Sequence, residues 1–253
     1  QILGLDAIKN PLDVRKRIGV VLQQPSYEPN LSVEKSLEKY GMMWDVDRKT
    51  RKDRTDELID VFELQEIRKK KNEDLSIGQR RRVQVAREFI HDMDLLFLDE
   101  PTVGLDPGAR RNLLDFLKNK ARDGLTIFYT THVLTEAEYL CDEIAVINKG
   151  KILAVDSPEH LKSTFGQEKT IKIHLLDRIE KLPNLLSSIA GCKIDFNAGT
   201  DIIIQSSKAE IILSQVLSIL IENNIPIEDL SAMPTTLEEI FLKMVKEKNA
   251  SNN

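Results

Sequence analysis

Along residues 3–157, short apolar runs alternate with stretches in which apolar residues recur every three or four positions. The runs fall at 18–22, 95–98, 125–130 and 144–147. Strand-length runs between helical stretches predict an α/β layer with a largely parallel sheet. Residues 1–5 read as a further strand, and Lys149-Gly150 as a turn into a last strand at 151–155. A helix is predicted over 107–122, with Asp106 as N-cap, Pro107 in the first position and Gly124 closing it. Residues 50–71 are charged but place Leu58, Val61, Phe62 and Ile67 on one face, which predicts part of a helical subdomain spanning about 30–95. Arg68 to Lys71 read there as a solvated helix end.

After Pro158 the pattern changes. A strand at 171–175, a helix at 182–190, a hairpin at 193–196 and 202–205, a helix at 209–223, a strand at 227–230 and a last helix from Leu237 follow one another. That order, βαββαβ plus a helix, predicts a small α+β domain of ferredoxin-like type. The expected organisation is a main domain at 1–165, an accessory domain at 166–247 and a disordered tail at 248–253.

Composition narrows the partners. Thirty-six basic against forty-one acidic residues leave a net charge of −5, which argues against nucleic acid. Cys141 and Cys192 are the only cysteines and have no metal or redox spacing, so two free thiols in a reducing compartment, the cytosol, are expected. The most apolar stretch, 211–221, contains Ser214, Gln215 and Ser218 and falls short of the ~18 residues of a membrane span. The chain opens on Gln1 with no charged leader, and is expected to be cut at its N-terminal side.

Several short segments carry chemistry. Leu95-Leu96-Phe97-Leu98 delivers Asp99 and Glu100 to the end of a strand, the edge where ligands of parallel sheets gather. There Asp99 can hold Mg²⁺ and Glu100 can polarise a water that attacks a phosphate, although an acidic turn alone would look the same. Leu75-Ser76-Ile77-Gly78-Gln79 precedes a helix whose apolar face includes Val83, Ala86, Ile90 and Met93. Ser76 and Gln79 have capping-box spacing, and the same helix start offers N–H groups and a positive dipole end to a phosphate. Gln23 ends one predicted strand, and His132 follows another; each alone is an ordinary loop residue.

Their joint order decides among these readings. Gln23, then 75–79, then Asp99-Glu100, then Gly104-Leu105-Asp106, then Thr131-His132 resembles the nucleotide-binding subunit of ABC transporters. In that family the Q-loop, signature motif, Walker B, D-loop and switch histidine come in this sequence. The resemblance covers 1–165 and is most like the drug and antibiotic exporter branch, on Ile18-Gly19-Val20-Val21-Leu22-Gln23 and Thr236-Leu237-Glu238-Glu239-Ile240-Phe241. It implies a P-loop NTPase-like fold and a peripheral protein on the inner face of the cell membrane, with ATP and Mg²⁺ as ligands. Two such ATPase subunits, alike or different, would drive integral membrane permease subunits.

By resemblance, Asp99 and Gln23 serve the metal, Glu100 is the general base, and His132 contacts the γ-phosphate. Ser76, Gly78 and Gln79 grip the γ-phosphate held by the opposite subunit, and Asp106 bridges the dimer. Two departures stand out. Ile77 occupies a position where the family usually has glycine, and no G-x-x-x-x-G-K-[ST] occurs; the nearest fragment is Gly150-Lys151-Ile152. In the family that loop, and the aromatic residue that stacks on adenine, lie upstream of the strand with which this chain begins. The chain as it stands is therefore expected to be inactive. Two other readings remain: an interaction module that offers 76–79 to a complete partner, and a soluble ABC ATPase of DNA repair or translation, which long heptad arms or a second cassette would mark.

Overall fold

The computed structural model describes residues 1–24, 26–165, 169–187, 189, 192–197, 199–206, 208–233 and 236–250. The chain divides into two compact units, Gln1–Leu140 and Cys141–Asn253. The strands expected at 144–147 and 151–155 belong to the second.

The first unit starts with a correction. Residues 1–5, expected as a strand, form a tight turn closed by the Ile2–Leu5 bridge, because Leu3 and Gly4 both take left-handed backbone, with φ of 51° and 78°. A short helix α1 (Pro11–Arg15) leads into β1 (Ile18–Val21). Beyond it lie the helices α2 (Val33–Met43), α3 (Arg48–Val61) and α4 (Ile77–Glu88). Polar caps set their starts. Ser32 Oγ accepts from Lys35 N, and Asp47 Oδ1 accepts from Lys49 N and Thr50 N at 3.0 Å each, filling orphan donors of the first turns. Arg68, expected in solvent, instead ion-pairs with Glu34 and Asp56, and its carbonyl accepts from Glu34 N.

The chain then returns as β2 (Leu95–Asp99), α5 (Pro107–Arg122), β3 (Thr126–Thr130) and α6 (Leu134–Leu140). Helix α5 has the predicted bounds, with Asp106 Oδ1 accepting from Ala109 N at 3.0 Å and Gly124 at φ 105° just beyond its end. Strands β1, β2 and β3 form a parallel three-stranded sheet in that order. Val21, Leu96 and Leu98 on one face are at most 1% exposed. On the other face Val20, Phe97 and Phe128 stand in one row across the strands, and Val20 and Phe128 are 41% and 59% exposed.

The second unit opens on the antiparallel pair β4 (Ile144–Asn148) and β5 (Lys151–Asp156), followed by α7 (Pro158–Phe165). Next come β6 (Lys169–Leu175), α8 (Leu182–Leu185), β7 (Lys193–Asn197), β8 (Asp201–Ser206), α9 (Ala209–Glu222), β9 (Ile227–Met233) and α10 (Leu237–Ala250). The sheet order β7-β8-β6-β9, antiparallel throughout, is the βαββαβ arrangement expected from the pattern. Alternation explains it: Ile171, Ile173 and Leu175 point into the core while Lys172 and His174 lie on the exposed side. Helix α9 closes that core with Ile212, Val216 and Leu220. Helix α8 stops at Leu185 rather than at 190; Ser188 and Ala190 of the expected helix lie outside the described residues. Helix α10 runs through 248–250, where a disordered tail was expected, and 251–253 lie outside the described residues.

Candidate functional site

The ends of the three parallel strands converge. Strand β2 carries Asp99 and then Glu100, β3 leads through Thr131 to His132, and β1 leads to Gln23. Gln23 Nε2 donates to Glu100 Oε2 at 2.9 Å, and His132 Nδ1 pairs with Glu100 Oε1 at 2.8 Å. Both carboxyl oxygens of Glu100 are thus engaged. His132, and after it Gln23, holds that carboxyl below the usual glutamate range. Thr130 Oγ1 donates to Asp99 Oδ1 at 2.5 Å. Glu100 itself has φ 46°, a left-handed conformation that costs a non-glycine residue about 1–3 kcal/mol, and its N–H donates to Thr130 O at 3.1 Å. Strain of this kind persists only where the surroundings over-determine it.

Ser76, Gly78 and Gln79 make no hydrogen bond to Gln23, Glu100 or His132 among the described residues; they start α4. The capping box is complete, since Ser76 Oγ accepts from Gln79 N at 3.2 Å and Gln79 Oε1 accepts from Ser76 N at 3.0 Å. No hydrogen bond engages the N–H groups of Ile77 and Gly78 among the described residues. This helix start abuts the loop between Glu100 and Asp106: a Cβ on Gly78 would lie 2.5 Å from Gly104 O. Ile77 is 61% exposed, yet its side chain borders the same loop: a Cβ on Gly104 would lie 3.0 Å from Ile77 Cγ2. Asp106 spends its Oδ1 on capping α5, and those backbone donors keep its carboxyl below the usual range.

Residues that the motif reading passed over tie these parts together. Arg81, only 2% exposed, donates to Leu22 O at 2.7 Å, to Gln84 Oε1 at 2.9 Å and to Gln23 O. Gln84 donates to Leu22 O at 3.2 Å, and Arg87 to Ser26 O at 3.2 Å and Ser26 Oγ at 2.9 Å. One face of α4 therefore holds the backbone around Gln23 through a row of donors spaced three residues apart. Burial pushes the Arg81 guanidinium down, against the charges of Asp99 and Glu100, which raise it. No sequence signal marked Arg81, Gln84 and Arg87: they stand at i, i+3, i+6 on the flank away from Val83, Ala86, Ile90 and Met93, where polar residues are ordinary. The other omission is Glu136, 3% exposed, which gathers hydroxyls from Thr102, Tyr129 and Thr131.

A parallel sheet with a carboxylate pair at its C-terminal edge, a glutamine and a histidine on the second carboxylate, and a capped helix start against the following loop define an ABC-type ATPase unit. The sequence profile of the ABC transporter family matches residues 5–103. The chain is 30% identical over 245 residues to the daunorubicin resistance ATP-binding protein DrrA3 of Streptomyces coeruleorubidus, covering 96% of this chain and 77% of that protein. It is 29% identical over 238 residues to the linearmycin resistance ATP-binding protein LnrL of Bacillus subtilis strain 168, covering 93% and 76%. A solved ATP-binding subunit of an ABC transporter shares the fold with a TM-score of 0.60 at 24% identity, over 64% of this chain and 68% of that one. The chain belongs to the ATP-binding proteins of ABC transporters, the subunits that couple ATP hydrolysis to transport through separate membrane subunits. Among the described residues no helix is long and apolar enough to cross a membrane.

Proposed function

We propose that Glu100 is the general base of ATP hydrolysis in this subunit, that His132 and Gln23 orient it and the γ-phosphate, and that the cargo is exported. The observation that carries the reading is the convergence of Gln23 and His132 on the two oxygens of Glu100. A carboxylate at the end of a parallel strand can take a proton from an attacking water, and the two donors on it are the groups a phosphate oxygen would recruit. Arrival of a γ-phosphate would draw Gln23 and His132 away and free Glu100 as a base. Export is the reading supported by a relative named as a Nod factor export ATP-binding protein, beside the resistance proteins.

The residues present fit Mg²⁺, which is held by one or two carboxylates and by substrate phosphates rather than by an all-protein cage. Asp99 and the Gln23 amide oxygen are hard oxygen donors at the right edge, and no cluster of three or more His, Cys, Asp or Glu among the described residues could hold a metal alone. When bound, the ion supplies charge neutralisation on the phosphates. Ser76, Gly78 and Gln79 act on a nucleotide held by a second ATPase subunit, and Asp106 lies at the contact between the two. The assembled pair works against permease subunits on the inner face of the membrane, with no nucleic acid involved.

These 253 residues contain no G-x-x-x-x-G-K-[ST], the nest of backbone donors and lysine charge that cradles phosphates, so alone they neither bind ATP tightly nor hydrolyse it. Calorimetry with Mg·ATP on this chain tests that; micromolar binding, or phosphate release that Glu100→Gln abolishes, would overturn it. The role of Glu100 is tested once a segment bearing that loop is joined upstream. Glu100→Gln then keeps ATP binding and lowers turnover by about 10²–10⁴, whereas near-normal turnover removes the base from Glu100.

A further inference from the structure

Helix α6 sends one carboxyl group back into the protein, and three hydroxyls meet there. Oε2 of Glu136 accepts from Tyr129 OH at 2.7 Å, from Thr102 Oγ1 at 3.0 Å and from Thr131 Oγ1 at 3.1 Å, while Arg110 Nε lies 3.5 Å from Oε1. Thr131 Oγ1 also accepts from Val133 N at 2.9 Å, so its single proton is committed to Glu136 and the backbone on both sides of His132 is held. Thr102 lies two residues after Glu100 and is 3% exposed; its carbonyl accepts from Leu105 N at 3.1 Å, and Val103 N donates to Glu100 O at 3.3 Å. The two loops that supply the His132–Glu100 contact thus share one anchor.

We propose that Glu136 is a positioning residue for the His132–Glu100 pair, its buried Oε2 tying the switch loop through Thr131 to the loop after β2 through Thr102. A carboxylate presents one proton-free oxygen to the three hydroxyls and the other to Arg110, whereas a glutamine would turn its NH2 donors on one or the other. The left-handed backbone of Glu100 needs such restraint, because nothing in its own side chain favours φ 46°. Without the anchor the exposed His132 is free to swing on its loop, and Glu100 loses one of its two donors. The bearing of this on hydrolysis rests on the function proposed above; the positioning itself does not.

The test therefore reads geometry and needs no ATP. In the 253-residue chain, nuclear Overhauser cross-peaks between the His132 ring protons and the Glu100 γ-protons are expected. Thr131→Val and Glu136→Gln are expected to lose them while the far-UV circular dichroism stays that of the parent, and Thr131→Ser, which keeps the hydroxyl, restores them. Thr102→Val, which cuts the other tie, is expected to weaken them. Parent-like cross-peaks in folded Thr131→Val and Glu136→Gln would overturn the proposal, as would their absence from the parent. Unfolding of Thr131→Val, Glu136→Gln and Thr102→Val alike would overturn it too, since the cluster would then serve the fold and not the pair. ATP turnover that fails to depend on Glu100, with the cross-peaks behaving as expected, would remove the proposed base and leave the anchor standing.

Discussion

The two sheets of this chain solve the same problem differently. In the antiparallel sheet, β6 alternates Ile171, Ile173 and Leu175 inward with Lys172 and His174 on the exposed side, and α9 covers the inward face. In the parallel sheet apolar residues stand on both faces. Val21, Leu96 and Leu98 are buried on one, while Val20 and Phe128 are exposed on the other. A strand that is apolar on both faces is written for burial on both. The antiparallel sheet completes its own core from its own strands and helices. The parallel sheet concentrates chemistry at its C-terminal edge and leaves an apolar face uncovered among the described residues.

The largest effect that would break this contrast comes from a pair of truncations. Ile173→Ala empties a position that is 1% exposed and should cost about 2–5 kcal/mol, seen as a lower urea midpoint of the second unit. Phe128→Ala, on the open face at 59% exposure, should cost far less and reduce the binding of a hydrophobic dye. Equal losses at the two positions would show that the open face is packed in solution. A smaller effect is expected from Gly78→Ala, whose Cβ would lie 2.5 Å from the carbonyl of Gly104. Backbone must move to admit it, at about 1–3 kcal/mol by denaturant titration, with amide shifts confined to 76–80 and 102–106. Shifts centred instead on Glu100 and His132 would mean that the helix start and the carboxylate cluster form one rigid body.

The smallest effect separates the two sheets by sign. Glu100 has a lowered pKa in the folded protein, so its contribution to stability is fully present above its unfolded value of about 4.3 and is lost as pH falls through the folded one. His174, paired with Asp201 and 3.4 Å from Glu228, has a raised pKa, chiefly from Asp201. Its contribution is fully present below about 6.5 and is lost as pH rises through the folded value. Midpoints measured against pH should therefore lose an acid-side slope in Glu100→Gln and an alkaline-side slope in His174→Ala. Both groups are near the surface, so both slopes are shallow. A slope of the opposite sign in either variant would contradict the pairing described.

Legibility in the sequence followed the range of the interaction. Helix α5 was read to the residue because its N-cap, its first proline and its closing glycine are all local, and the Ser76–Gln79 box was read for the same reason. The order of Gln23, Asp99, Glu100 and His132 was visible, but that both partners would land on one carboxyl group was not, since it depends on how three parallel strands line up. Glu136 looked like any acidic residue near a helix start. Its role arises from hydroxyls up to 34 positions away, which no window along the chain contains. Residues 1–5 misled through their apolar content, where the left-handed Leu3 and Gly4 decided the conformation. The Arg81, Gln84 and Arg87 row stands on the flank away from Val83, Ala86 and Ile90, where polar residues are ordinary, and its carbonyl partners at 22–26 lie outside any window along the chain.

The complete capping box at the start of α4 changes how the isoleucine at 77 should be judged. Ser76 and Gln79 satisfy each other, and the donors left over are the amides of 77 and 78. An amide belongs to every residue except proline, so an isoleucine here still offers the N–H that the proposed role would use, while its Cγ2 borders Gly104. Proline is well suited to the first position of a helix. Ile77→Pro would therefore subtract one donor and leave the helix with a sound start, separating the anion contact proposed for this segment from its structural part, whereas a change at Ser76 or Gln79 would break the capping box.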